Sequence, residues 1–182
     1  MTSRRQKGYT ACTSRCGYDS MYQLGHYGVA LLTYAPVGAV VALTGDEFLA
    51  VGGAALCVSL STLPDCDQRI PFVAHRGPTH TLLFALLVGV IVGGMTVLSL
   101  GALDIYDPRL AWFTAGIATL SICSHLLADA LTPMGITPFW PLSRAHFSLN
   151  LTPAKNPIAN YLLFGLGIGA TILAMFVVTS VG

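Results

Sequence analysis

Five long apolar runs organise this chain, at about residues 27–44, 48–63, 81–101, 110–131 and 158–181. The hydrocarbon core of a bilayer is about 30 Å thick and takes about 20 helical residues to cross. The last three runs reach that length. The first two are short, and the second would also suit a re-entrant segment. Pro36 lies inside the first run and is expected to kink it rather than end it, because membrane helices tolerate proline. The pattern predicts an all-α, polytopic membrane helical bundle of five transmembrane helices. In the last run the sequence GLGIGA, with Gly165 and Gly169, predicts close helix packing.

Composition agrees. The chain of 182 residues is 54% apolar and 9% charged, against about 25% charged in an ordinary soluble domain. Mean hydropathy is +0.69. A water-soluble protein of this length could not cover its surface with so few charges. No cleavable signal pattern is present: residues 1–20 are polar, and no small-residue cleavage site follows the first run. Residues 1–24 read as a polar extension and residues 25–182 as a single membrane-embedded domain. The five cysteines do not suit a full disulfide framework. Cys57 and Cys123 fall in apolar runs and read as packing residues. Cys12 and Cys16 are only weak ligand candidates.

Charge sets an orientation. Arg4, Arg5, Lys7 and Arg15 precede the first run, Arg69 and Arg76 lie between the second and third, and Arg144 and Lys155 lie between the fourth and fifth. Alternate connections thus hold eight of the nine basic residues. The positive-inside rule puts them, and the N-terminus, in the cytoplasm. The unusual polar residues were not used for that assignment, yet they gather on the same face. His26 opens the first helix, Asp65 and Asp67 close the second, His75 and His80 precede the third, and His125 and Asp129 end the fourth.

Ionisable groups at a membrane are costly and mark functional sites. His125 and Asp129 are four apart and share a helix face. Asp65 and Asp67 share a face only if the chain is extended or turning there, which Pro64 favours. Gly77 and Pro78 separate His75 from His80, and Thr79 is placed to cap the third helix. Imidazole and carboxylate together suit a divalent metal, with zinc or manganese favoured and one or two ions per chain. Metal ligands are therefore expected among His26, Asp65, Asp67, His75, His80, His125 and Asp129. Asp67 or Asp129 could instead act as a base. Arg76, and with it Arg144, suits an anionic substrate group. Phe139 and Trp140 are expected to anchor their loop at the interface. His146 has no partner at a telling spacing, and Asp46, Glu47, Asp104 and Asp107 read as solvated loop residues.

Several blocks carry a family resemblance: Gly25-His26, Leu63-Pro64-Asp65-Cys66-Asp67, His75-Arg76-Gly77-Pro78-Thr79-His80, and Ser124-His125-Leu126-Leu127-Ala128-Asp129 continuing through Thr132-Pro133-Met134-Gly135. Phe139-Trp140-Pro141-Leu142, Arg144 and Phe147 fit as well. Over about residues 25–147 the chain resembles the membrane-bound metal-dependent hydrolase family, which includes LexA-regulated inner-membrane proteins. The resemblance implies a multi-pass membrane hydrolase with metal on the seven His and Asp residues named above. Thr81 stands where the family commonly has serine, and keeps the hydroxyl. Met21 resembles the usual family start, which would leave the first 20 residues outside the native chain.

The leading expectation is therefore a metal-dependent hydrolase at the cytoplasmic membrane face. Its best substrate is a phosphoester of a membrane-associated, lipid-linked or phosphorylated molecule. The expected partners are membrane lipids, with no nucleic acid. The alternatives are a metal-ion or proton-coupled transporter and a structural protein stapled by metal. Against transport, no inverted repeat links two halves.

Overall fold

The computed structural model describes residues 23–69 and 77–181, with the side chains of residues 68 and 69 left aside. The polar extension up to residue 22, Cys12, Cys16, His75 and Arg76 lie outside the described residues. Five α-helices form among the described residues: α1 (Gln23–Leu43), α2 (Glu47–Leu60), α3 (Leu82–Gly101), α4 (Pro108–Ala130) and α5 (Pro157–Val181). All five are long and apolar enough to cross a membrane when α2 is taken with the turn that follows it, as Glu47–Asp67. α1 continues through Pro36.

The short second run gains its length in an unexpected way. α2 alone has 14 residues, or about 21 Å at 1.5 Å per residue. It is prolonged by Ser61 and then by a tighter 3-10 turn, Pro64–Arg69. A second such turn, Pro78–His80, leads into α3. This corrects the expected cap. Pro78–His80 is used up in its own turn, so Thr81, and not Thr79, caps α3 by accepting the Phe84 amide.

α4 is the central helix and packs on α1, α2 and α3, while α5 lies mainly along α1. Ala30, Tyr34, Cys57 and Ile117 join α1, α2 and α4. Ala85, Val88, Ala118 and Ile122 join α3 to α4, with Cys123 packed against them. Polar groups tie helices together as well. Tyr34 donates to the Ala50 carbonyl at 2.6 Å, Ser121 donates to the Cys57 carbonyl at 2.5 Å, and the Thr96 and Thr114 hydroxyls meet at 2.8 Å. Such bonds join helices where apolar burial cannot, since lipid is as apolar as leucine.

The close approach in the last helix is real, but it falls on a different glycine. A Cβ at Gly167 would collide with the Gly28 backbone, and one at Gly28 with the Leu163 carbonyl. A Cβ at Gly165 or Gly169 would meet nothing within 4 Å beyond its own stretch of helix. α1 and α5 therefore touch backbone to backbone at Gly28 and Gly167.

The connection from α4 to α5, residues 131–156, is folded against the bundle. Ile136 and Phe147 form an antiparallel bridge. The Leu149 amide donates to the Ala130 carbonyl at 2.7 Å, and the Leu82 amide donates to the Pro138 carbonyl at 2.9 Å. These bonds hold the segment at the end of the bundle where α4 finishes and α3 begins.

Candidate metal centre

At that same end four elements bring their polar residues together. His26 comes from the first turn of α1, Asp65 and Asp67 from the turn after α2, His80 from the turn before α3, and His125 and Asp129 from the last turns of α4. The three histidines are fully buried, and Asp67 and Asp129 nearly so. Asp65 is the most open, with 17% of its side chain exposed, so the centre faces solvent on the Asp65 side.

The partners of the rings fix their tautomers. His125 Nδ1 lies 2.6 Å from the Ser61 carbonyl oxygen. A carbonyl only accepts, so a neutral His125 carries its proton on Nδ1 and presents a bare Nε2. His80 Nδ1 lies 3.0 Å from Thr79 Oγ1 and 3.4 Å from Asp67 Oδ2. The Thr79 hydroxyl donates to Asp67 at 2.5 Å, which leaves its oxygen as an acceptor. A neutral His80 therefore also holds its proton on Nδ1. The two Nε2 atoms face each other at 3.1 Å.

Carboxylates complete the group. Asp129 Oδ2 is 3.3 Å from His80 Nε2 and 3.7 Å from His125 Nε2. Asp65 Oδ1 is 3.9 and 3.7 Å from the same two nitrogens. Donors arranged tetrahedrally about one ion, with bonds of about 2.0–2.1 Å, lie about 3.3 Å apart. The observed spacing, 3.1 to 3.9 Å, suits such a shell. Among the described residues two groupings meet the requirement, His26 with His125 and Asp129, and Asp65 with His80 and His125; within each, the ligand atoms lie within 4.8 Å of one another. His125 belongs to both. The His26 ring stacks on His125, with centroids 4.0 Å apart, and its Nε2 lies 3.7 Å from Asp65.

Asp67 stands in neither grouping. In a 3-10 turn two residues two apart point in different directions, at three residues per turn. Asp65 and Asp67 thus bracket His80 from opposite sides, Asp65 near Nε2 and Asp67 near Nδ1. A carboxylate on the far nitrogen of a ligating histidine is the usual arrangement for holding that ring in place.

A profile of the YdjM inner membrane protein family matches residues 21–181. The chain belongs to the YdjM family. Membership bears out the resemblance drawn from the motifs; the family's name places it at a membrane, and the five apolar helices are consistent with a multi-pass location there. No curated protein and no solved structure matches this YdjM-family chain.

Other expected groups stand apart. Arg144 is exposed on the α4–α5 connection and has no ion pair among the described residues. His146 Nε2 is 2.9 Å from the Met134 carbonyl, away from the cluster. Asp46, Glu47, Asp104 and Asp107 are exposed at the other ends of the helices, and Asp107 caps α4. Two contributors had no signal as such. Ser61 acts through its backbone carbonyl, which any residue would supply. Thr79 read as a helix cap.

Proposed function

We propose that this YdjM-family protein is a metal-dependent hydrolase acting on a phosphoester of a membrane-associated substrate. The observation that carries the reading is the pair of imidazole Nε2 atoms 3.1 Å apart, flanked by two carboxylates. Facing lone pairs repel unless a cation or a proton lies between them. His26, Asp65, His80, His125 and Asp129 would hold one or two divalent ions, with His75 added from the sequence. The mixed nitrogen and oxygen donors favour zinc or manganese. Such an ion would supply Lewis-acid activation of water and neutralise phosphoryl charge.

The protein's own groups would do the rest. Asp67 and Thr79 would hold the His80 ring in register. Asp65, the most open carboxylate, would meet incoming water and take its proton, a role that the hydrogen bonds on Asp67 make less suited to Asp67. Arg76, and from the loop Arg144, would receive the anionic group of the substrate through a planar fork that lysine lacks. By the positive-inside rule the centre would face the cytoplasm.

The test is metal content and hydrolysis of a panel of lipid phosphates, read on the same detergent-purified protein. Hydrolysis that is lost in His80→Ala, with helix content kept, supports the enzyme. Bound metal with no hydrolysis across the panel would leave a metal-stapled structural protein as the better reading.

A further inference from the structure

The connection between α4 and α5 carries an exposed apolar surface of which the proposed function draws on Arg144 alone. Over residues 131–156 the side chains of Phe139, Trp140, Leu142, Phe147, Leu149 and Leu151 are exposed, Leu142 to 96% and Leu151 to 72%. This is a folded segment, held by the Ile136–Phe147 bridge and by the bonds from Leu82, Leu149 and Leu151 to backbone carbonyls. Its position is fixed by the spans it joins. It begins where α4 leaves the bilayer and ends where α5 enters it.

Its charge is one-sided. From residue 130 to residue 182 the chain has no Asp or Glu, and its only charged side chains are Arg144 and Lys155, both on this segment and both exposed. Apolar and aromatic side chains interleaved with basic ones match the headgroup layer of an anionic membrane. Aromatic rings settle at that depth, and each basic side chain near the surface attracts anionic lipid.

We propose that residues 131–156 form an interfacial insert that lies in the headgroup layer and gathers anionic phospholipid at the metal-centre end of the bundle. The Leu82 amide to Pro138 carbonyl bond ties the insert to the chain two residues beyond His80. Lipid gathered there would be concentrated beside the centre. The inference needs only the membrane location of the chain and no particular reaction, so it stands or falls apart from the hydrolase reading.

The chain has two tryptophans, Trp112 and Trp140, so Trp112→Phe leaves Trp140 as a single reporter on the insert. The variant is reconstituted in phosphatidylcholine vesicles with and without phosphatidylglycerol, using lipids brominated at shallow or deep acyl positions. Trp140 should be quenched by the shallow label more than by the deep one and be shielded from aqueous acrylamide. Brominated phosphatidylglycerol should quench it in preference to brominated phosphatidylcholine. The preference should be about fivefold for Arg144 at low salt, fade as salt rises, and disappear in Arg144→Ser. If substitution of Trp112 disturbs folding, as judged by helix content, the same comparison is read as the difference in quenching between the parent protein and Trp140→Phe. Free quenching by acrylamide with no effect of brominated lipid would overturn the proposal. So would shielding that depends on the protein-to-lipid ratio, because that would mean a second copy of the chain covers the segment.

Discussion

His80 and His125 meet through their Nε2 atoms at 3.1 Å, each ring held from behind at Nδ1. They come from residues 45 apart in sequence, one just before α3 and the other on α4. Their meeting therefore reports the packing of α3 on α4 as much as local chemistry. If a divalent ion joins them, its binding energy is also folding energy. Chelation should lower the melting temperature of the detergent-purified protein, and adding metal back should restore it. An ion present at about 100 times its dissociation constant would contribute about 2.7 kcal/mol. Calorimetry with and without chelator reads this directly. His80→Ala/His125→Ala should remove both the bound metal and the chelator effect, while Asp104→Ala and His146→Ala keep them. Full occupancy in the double variant would refute a shared centre.

Asp67 and Thr79 should matter without touching the ion. Thr79→Val removes the hydroxyl that donates to Asp67, and Asp67→Asn removes the carboxylate charge beside His80 Nδ1. Loss of such a supporting partner typically costs about 10–100-fold in metal affinity. Competition titration against a chelating dye should find that loss in both variants, with the metal-to-protein ratio at saturation unchanged. Thr79→Ser keeps the donor and should recover most of the affinity. An unaltered affinity in Thr79→Val would show that the pair only shapes the turn.

Much of this was legible because membrane helices announce themselves by length and apolarity, and because His125 and Asp129 have the i, i+4 spacing of one helix face. Proximity across the bundle could be argued only from charge: Lys and Arg placed the connections, and the His and Asp residues fell on the same side. Three details needed coordinates. The length of the second span was hidden because Pro64 and Asp65 end its apolar pattern after Leu63, although the chain continues into a 3-10 turn. The cap moved from Thr79 to Thr81 because Pro78 begins a turn of its own. In GLGIGA, glycines lie two apart, and two helical positions differ by about 200°, so composition alone could not say which faced α1.

That last ambiguity makes a sharp test. Gly167→Ala and Gly28→Ala should each destabilise the α1–α5 pair, since the added methyl meets backbone rather than a movable side chain. Overpacking of this kind costs about 1–3 kcal/mol. Gly165→Ala and Gly169→Ala place the methyl in open space and should be neutral or slightly stabilising, because alanine is the better helix former. Unfolding in mixed micelles, followed by circular dichroism, ranks the four. Equal effects at Gly165 and Gly167 would show that α5 does not meet α1 on the Gly167 face.

Orientation follows from the same physics that gathers the site. Five spans put the two ends of the chain on opposite sides, and eight of nine basic residues fall on the connections that share a side with the N-terminus. The expected arrangement has the N-terminus, Arg144 and the metal centre inside, and Asp46 outside. Single cysteines at positions 46 and 144, both exposed, report the two sides once the native cysteines are replaced. A membrane-impermeant maleimide should label position 46 in intact cells and position 144 only after permeabilisation. The reverse pattern would place the centre outside and remove the cytoplasmic substrate pool from consideration. Labelling of both positions from one side would mean that an odd number of the spans between them fails to cross. The second would then be the first suspect, because its last residues form the tight turn that carries Asp65 and Asp67 into the centre.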